Sequence, residues 1–488
     1  MFSRIKSLFS RTPRRDLSAG QALRMLRARY DAATTNNENR RHWANADGLS
    51  ANAANSPEVR RVLRNRARYE VANNSYARGI VLTLANDVIG TGPRLQMLTR
   101  DAEANRRIEQ EFMRWSKATG LAERLRTLRM ARAADGEGFA ILTSNPLLPT
   151  SVQLDLRLVE ADQVTSPDLL PLGTDQVDGI VFDAAGNPVE YHVLKAHPGD
   201  ASALAIRDYD RIPSEAMVHL YRCDRPGQAR GVPDITPALP LFAQLRRYTL
   251  AVIAAAEIAA LPGGVLYTDA PPNGESDPVE PMDLIELERG TLMTMPGGWK
   301  MGQIKAEQPT TSYGEFKREI LNEIARCLNM PFNVAAGNSS GYNYASGRLD
   351  HQTYFKAIRV EQSHLEAAVL DRILAAWFDE AALIPGLLPA GLGPIAEWPH
   401  QWFWDGHEHV DPAKEASAQA MRLANHTTTL ADEYARRGLD WEMQLRQRAK
   451  ENELMRELGL TAAEVIPMSE QLDEEESDAE EQPASQAA

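Results

Sequence analysis

A mixed α+β, helix-rich architecture is predicted by three observations. Apolar residues recur every three or four positions over residues 17–33, 57–87, 239–261, 312–329 and 348–380, the period of helices with one buried face. Between Leu154 and Tyr221 the period falls to two, the mark of strands. Clusters of Pro and Gly separate these stretches. With 488 residues, 43% of them hydrophobic and 25% charged, the chain can build two or more packed regions rather than a single core.

The first helical segments carry many arginines, and Val59, Leu63, Tyr69 and Ala72 mark the apolar positions of the second. Those arginines either form a solvated face or meet an acidic neighbour or DNA. Alternation follows at Leu154, Leu156 and Leu158, at Ile180 and Phe182, and at Val189, Tyr191 and Val193 after the turn Gly186-Asn187-Pro188. A further strand is predicted over Met217–Tyr221. Residues 239–261 return to helix with a stripe of Leu241, Leu245, Tyr248 and Val252, and the alanines elsewhere let a neighbouring helix approach closely.

Residues 263–311, with Thr291–Met295 before Pro296-Gly297-Gly298, read as a small loop-rich β module. The helix at 312–329 turns Tyr313, Phe316, Ile320, Ile324 and Leu328 one way and Glu315, Lys317, Arg318 and Glu323 the other, until Pro331 stops it. Asn333–Gly347, rich in Gly, Asn, Ser and Tyr, predicts a flexible loop without a packed element. From Arg348 to Glu380, Tyr354, Ile358, Leu365, Val369, Ile373 and Trp377 form one stripe of a helix on the order of 45–50 Å long. Beyond the aromatic cluster Trp398, Trp402, Phe403 and Trp404, Asp411-Pro412 supplies an N-cap and a first-turn proline. Two more helices are predicted over Thr429–Arg437 and Asp440–Leu458, each followed by glycine. Ser469–Ala488 holds eight acids and no base, so the tail beyond residue 460 is expected to be disordered.

The net charge of −14 is unevenly spread, for residues 1–70 hold 15 Lys/Arg against 6 Asp/Glu. An acidic total disfavours tight adhesion to nucleic acid, whose affinity comes mostly from phosphate neutralisation, so a DNA partner is expected to slide past. No run of about 18 apolar residues crosses a bilayer, and no membrane partner is expected. Met1–Arg15 is basic but lacks the apolar stretch of a secretory signal, which places the chain in the cytosol. Cys223 and Cys327 make no CxxC pair, against a disulfide framework or thiolate metal site.

No phosphate-cradling G-x-x-x-x-G-K-[ST], no H-E-x-x-H and no G-x-S-x-G elbow is present, so neither catalytic residues nor a cofactor or metal is assigned. Two groups offer metal-ligand chemistry: His407, Glu408, His409 and Asp411, read as a polar loop before a capped helix, and Asp135, Glu137, Glu160 and Asp162, read as solvated acids at strand edges and turns. A metal-dependent nuclease built on either group, and a DNA-binding module built on the basic N-terminus, are the alternatives to a structural role.

A series of motifs carries a resemblance. Tyr30-Asp31-Ala32-Ala33 with Trp43, Arg66-Ala67-Arg68, Asn73-Asn74-Ser75-Tyr76-Ala77, Val88-Ile89-Gly90-Thr91-Gly92, Asp135-Gly136-Glu137 and Leu158-Val159-Glu160-Ala161-Asp162 follow one another. Arg211-Ile212-Pro213, His219-Leu220 and Arg225-Pro226-Gly227-Gln228-Ala229-Arg230-Gly231-Val232-Pro233 continue the series, then Asn343-Tyr344-Ala345-Ser346-Gly347-Arg348 and Asp411-Pro412-Ala413-Lys414-Glu415-Ala416. In number, order and spacing they resemble the portal proteins of lambda-like tailed phages from about residue 20 to residue 460, with Ala345 and Gly347 as departures from an Asn-Tyr-Ser-Ser-x-Arg motif.

The resemblance implies a portal fold with wing, stem, clip and crown regions in a dodecameric ring at one capsid vertex. Double-stranded DNA would pass its channel during packaging and ejection, with no catalysis in this chain. Implied partners are the large terminase subunit, head-tail connector or adaptor proteins, and the major capsid and scaffold proteins, in the virion and, during assembly, the host cytoplasm. Residues 1–237 would be wing, 238–262 and 312–331 stem helices, 263–311 clip, 332–347 tunnel loop, 348–411 the long helix and return to the wing, 412–460 crown, and 461–488 tail. Asn338, Ser339, Ser340, Tyr342, Asn343, Tyr344 and Arg348 would be the channel-facing side chains.

Overall fold

The computed structural model describes residues 37, 40–166, 175–200, 208–260, 264–268, 299–303, 312–341, 344–389, 394–406, 412–435 and 437–460. The predicted helix at 17–33, the β module between residues 269 and 298 and the acidic tail lie outside them. Met1–Ala54 forms one compact unit, whose described part includes the short helix α1 (Ala51–Ala54); Asn55–Ala488 forms the other.

The second unit opens with two helices where one was predicted: α2 (Pro57–Asn73) and α3 (Ser75–Ile89). Ser56 caps α2, with proline at its first position, and the Asn74 side chain breaks the run by accepting from the amides of Tyr76 and Ala77 at 3.1 and 3.4 Å. The predicted apolar positions of α2 are not its buried face. Val59 and Tyr69 are exposed, whereas Arg60, Arg64, Ala67 and Glu70 point inward. Four-residue spacing aligns Arg60 and Arg64 on one side, and carboxylates inside the protein outcompete water for them.

Strand β1 (Arg94–Met97) leads into α4 (Ala102–Thr119), capped by Asp101, and α5 (Leu121–Asp135), the two joined at Gly120. Strands β2 (Glu137–Ser144), β3 (Leu154–Val159), β4 (Gln176–Val177), β5 (Ile180–Phe182), β6 (Pro188–Leu194), β7 (Tyr209–Pro213) and β8 (Met217–Tyr221) make two antiparallel sheets, in the orders β3-β2-β8 and β4-β5-β6-β7. The period of two along β2 explains their stacking. Ala140 joins Leu154, Leu156, Val218 and Leu220 against the helices, while Phe139 and Ile141 join Val159, Tyr191, Val193 and Met217 between the sheets. Each large side chain so buried contributes roughly 1.5–3 kcal/mol.

Helix α6 (Leu239–Ala260) precedes the two-stranded ribbon β9 (Gly264–Thr268) and β10 (Trp299–Gln303), after which α7 (Tyr313–Arg326) returns along α6. The ring of Tyr248 lies 5.7 Å from that of Tyr313 and 5.0 Å from that of Phe316, and the Tyr313 hydroxyl is 3.4 Å from Thr249 Oγ1. Phe316, predicted on the buried stripe, is 49% exposed; Ile324 of that stripe is buried, and Leu321 and Ala325 fill the inner face beside it.

The predicted loop at 332–347 is shorter than expected. Pro331 starts a helical turn, α8 (Phe332–Ala336), which buries Ala335, and Gly337 ends it at φ 62°. Helix α9 (Tyr344–Leu365) begins four residues before Arg348 and continues through a π-helical turn, Glu366–Leu370, into α10 (Asp371–Ala381). Beside that turn, Glu366 accepts from the Trp404 indole at 2.6 Å and Asp371 from the Trp402 indole at 2.9 Å. Trp402 belongs to β11 (His400–Phe403), which pairs antiparallel with β1. Helices α11 (Pro412–Ala424), α12 (Leu430–Ala435) and α13 (Trp441–Glu457) follow close to the predicted spans. Cys223 and Cys327 are free thiols, the first exposed.

Near β1 sits a carboxyl with an unusual affinity for protons. Glu109 accepts from the Met97 amide at 2.7 Å, and burial, reinforced by Asp440 and Glu442, pushes its carboxyl up to about 7. A folded-state value above the unfolded one means that the stability it confers is full below the ordinary carboxyl range and is lost as pH rises through about 7. Glu109→Gln keeps the acceptor and removes the charge. It is therefore expected to raise the denaturation midpoint at pH 8 and to leave it unchanged at pH 4, checked by denaturant titration of both proteins at each pH.

Candidate functional site

The acids at 135, 137, 160 and 162 are not solvated as a group; the fold brings them to the buried arginine side of α2. Glu137, fully buried at the start of β2, takes both arms of Arg230: Nη2 to Oε1 at 2.6 Å and Nε to Oε2 at 2.9 Å. The backbones that carry this pair nearly touch. A Cβ on Gly136, at φ +93°, would lie 2.8 Å from the Gly231 carbonyl carbon, and one on Gly231 would meet the Gly136 carbonyl oxygen. Arg64 pairs with Asp162 at 2.7 Å and with Glu137 at 3.5 Å; Arg68 pairs with Asp135 at 2.6 Å, Asp162 at 2.8 Å and Glu160 at 3.3 Å; Arg60 pairs with Asp178.

Electrostatics follow from this crowding. Burial would raise the Glu137 carboxyl, but Arg230 and the His219 hydrogen bond override it and hold it well below the usual range. Burial lowers the pKa of His219, which stacks between Phe139 and Tyr221 with ring centroids 4.3 and 4.4 Å away and sits 3.1 Å from Glu137. Desolvation, with Arg230 nearby, pulls Arg60 down to about 10.

The potential metal-ligand atoms of Glu160, Asp162 and His197 lie within 4.8 Å of one another, yet Arg68 bonds both acids and Arg64 the second. Guanidinium charge already occupies the positions that a cation would need, so the grouping is a structural ion-pair cluster. Sequence reasoning passed over Arg60, Arg64 and Asp178 here; the spacing of Arg60, Arg64 and Arg68 was the available signal. His407, Glu408, His409 and Asp411 lie outside the described residues.

The candidate channel segment lies between α8 and α9. Asn338, Ser339 and Ser340 are exposed, as is Arg348 on the first turns of α9; Tyr342 and Asn343 lie outside the described residues, and Tyr344 begins the helix. The base of the segment is tied down. The Asn338 amide donates to the Asn333 carbonyl at 3.0 Å, the Asn333 side-chain nitrogen lies 3.0 Å from His351 Nε2, and the Ser340 amide donates to Asn338 Oδ1 at 2.9 Å. Helix α9 is held in turn: Tyr354 donates to Asp87 at 2.7 Å, Gln362 to the Val88 carbonyl at 3.0 Å, and Glu361 pairs with Arg129 and Arg132. The arrangement is a short polar projection, rich in hydrogen-bond donors, on a rigid base.

Most of the motif series thus serves the fold. Asp135-Gly136-Glu137, Glu160-Ala161-Asp162, His219 and Arg230-Gly231 meet in one cluster, buried at Glu137 and Arg230 and open to solvent at Glu160; Asn74 caps a helix; Thr91 Oγ1 donates to Asp405 at 2.8 Å.

Comparison with known proteins agrees with that series. A probable portal protein of Halomonas phage phiHAP-1 is 27% identical over 409 residues, covering 78% of this chain and 77% of that one. A chain from the neck of an empty GTA particle aligns with 16% identity and a TM-score of 0.48, over 76% of this chain and 92% of its own. A chain from the virion of a native gene transfer agent gives 14% identity and a TM-score of 0.45, over 77% of this chain and 92% of its own. The family described as "Phage portal protein, lambda family" matches residues 36–362, more than half of the sequence, and the chain belongs to that family of structural proteins.

Proposed function

We propose that this chain is the subunit of a dodecameric portal ring at one capsid vertex of a tailed phage or related prophage, through which double-stranded DNA is packaged and ejected. The observation that carries the reading is an order of elements that begins within the family match at residues 36–362: paired helices α6 and α7 joined beyond their ends by the β9–β10 ribbon, then the short polar segment, then the long helix α9, which continues past the match into α10. In this reading α6 and α7 are stem, the ribbon belongs to the clip, and α11 to α13 form the crown. The clip receives the large terminase subunit and later the head-tail connector or adaptor proteins, while the outer ring meets the major capsid and scaffold proteins. The chain supplies no catalysis. Its net charge of −14 repels phosphate, so that DNA moves without adhering. It would reside in the virion after assembly in the host cytoplasm. Among the described residues no helix is long and apolar enough to cross a membrane.

Native mass measurement tests the ring: particles of about twelve subunits are expected, and a stable monomer at assembly concentrations would overturn the proposal. The role of the projection is tested separately. Deleting Ser339 and Ser340, which are exposed and bury no apolar surface, is expected to leave ring formation intact and to shorten the genome retained in particles, measured by gel sizing of packaged DNA. Full-length DNA in particles with the shortened segment would remove the channel role from these residues.

A further inference from the structure

Helix α13 buries none of its residues, so its packing does not fix where it points. Its root is held firmly. Gly438 is buried, and a Cβ there would run into the Trp404 carbonyl oxygen, while its own carbonyl accepts from Arg94 of β1. Asp440 caps the helix: Oδ1 accepts from the Met443 amide at 2.7 Å, and Oδ2 accepts from the Gln96 side chain of β1 at 2.5 Å. Gln401 of β11 in turn donates to Gln96 at 2.5 Å. The seam Gly438–Asp440 is therefore a pivot that seats α13 on the β1–β11 pair.

A third carboxyl converges on this seam. Glu109 of α4 accepts from the amide of Met97, the residue after Gln96, and lies within the fields of Asp440 and Glu442. The donors that reach Glu109 and Asp440 here, two backbone amides and the Gln96 side chain, are neutral. Arg106, on the same helix as Glu109, is the positive charge acting on it. Other charged groups on the surrounding elements are engaged elsewhere: Arg94 of β1 by Asp405 at 3.4 Å and by the Gly438 carbonyl, His400 of β11 by Asp371 at 3.2 Å, and Arg124 of α5 by Asp155. A negative charge placed on Glu109 thus meets two like charges at the root of α13.

We propose that Glu109 is a proton-operated latch for α13: as the neutral acid it lets the Gly438–Asp440 seam close on the β1–β11 pair, and as the carboxylate it drives the start of the helix off. The device works within one copy and needs no ring; in the portal reading it gives the crown a posture set by pH. Burial, and after it the charges of Asp440 and Glu442, push the seated carboxyl up to about 7, whereas release returns it to water and to the ordinary carboxyl range. A value raised in the seated state makes seating most favourable below that ordinary range; the advantage is lost as pH rises through about 7 and stays lost above it.

Hydrogen–deuterium exchange of the full chain, comparing the parent with Glu109→Gln at one pH at a time, tests the latch, because the intrinsic pH dependence of exchange then cancels. At pH 8 the amides of Trp441–Gln444 are expected to exchange more than about tenfold faster in the parent than in the variant, the factor carried by one pKa unit of coupling. At pH 5 the two proteins are expected to match. Glu442→Gln removes one repelling charge, so it is expected to lower the pH at which exchange accelerates and to shrink the step. Peptides from β2 report general loosening and are expected to exchange alike in all three proteins. Equal rates in the parent and Glu109→Gln at pH 8, the same difference at both pH values, an unchanged step in Glu442→Gln, or an equal acceleration in β2 overturns the latch. None of these results bears on the ring, which native mass measurement reads separately.

Discussion

Arg230→Met is expected to lower the unfolding free energy by about 3–5 kcal/mol, because it strands Glu137 as a buried charge with its main partner gone. The carboxylate is wholly inaccessible and takes both arms of that guanidinium; the aliphatic replacement preserves much of the volume and none of the charge. Denaturant titration followed by tryptophan fluorescence reads the change as a lower midpoint. Two controls separate the pair from general disturbance. Arg68→Ala, whose side chain is 33% exposed, is expected to cost less than about 1.5 kcal/mol despite its three acidic neighbours. Adding Glu137→Gln to Arg230→Met is expected to recover part of the loss, since no charge is then left unpaired. The acid dependence has a defined sign. The depressed Glu137 value stabilises the protein above the ordinary carboxyl range, and that contribution is lost as pH falls through the depressed value. An equal loss for Arg68→Ala and Arg230→Met would refute the account.

Phe112→Ala is expected to cost about 3–5 kcal/mol, the range for removing an aromatic ring from a closed core. Phe112 on α4 meets Trp115 at 5.2 Å, Trp377 of α10 at 5.6 Å and Trp402 of β11 at 5.6 Å, so one side chain couples three parts of the chain. Phe112→Leu refills most of the volume and is expected to cost under about 1.5 kcal/mol. The midpoints of both variants, compared with the parent, check the ratio. Similar losses for the two would mean that the ring contacts, rather than the cavity, set the energy.

Helix and strand periods made the helix-rich mixed fold legible, because they arise from backbone geometry and need no knowledge of partners. The length of the helix through Trp377, the strands around Tyr191 and the helix opened by Pro412 followed from local pattern in this way. What failed was the reading of Asp135, Glu137 and Asp162 as solvated acids, while Arg60, Arg64 and Arg68 took the second of their two readings, an acidic neighbour. Arg60, Arg64, Glu137 and Asp162 are polar in isolation and become interior residues only because α2 lies across the start of β2, a pairing between segments more than 70 residues apart. The stripe on α2 misled for the same reason: Val59 and Tyr69 look like a core face until the arginine side is given carboxylates to meet. At the candidate channel segment the composition marked the polar stretch, but not its edges. Pro331 starts a turn of helix, and the alanine, serine and glycine before Arg348 were too featureless to show that α9 begins at Tyr344.

The pairing of β1 with β11 sets a schedule for synthesis. Gln96 and Gln401 are bonded across 305 positions of sequence, so the first strand leaves the ribosome on the order of 15–60 s before its partner exists. During that interval the edge of Arg94–Met97 is open, and Phe112 and Trp115 wait without Trp402. The paired helices α6 and α7 are complete well before then. A nascent chain thus possesses its α6–α7 helix pair before it possesses a finished core. Slow codons placed after residue 330 would lengthen that exposure, and mispaired chains in the cell are the expected consequence.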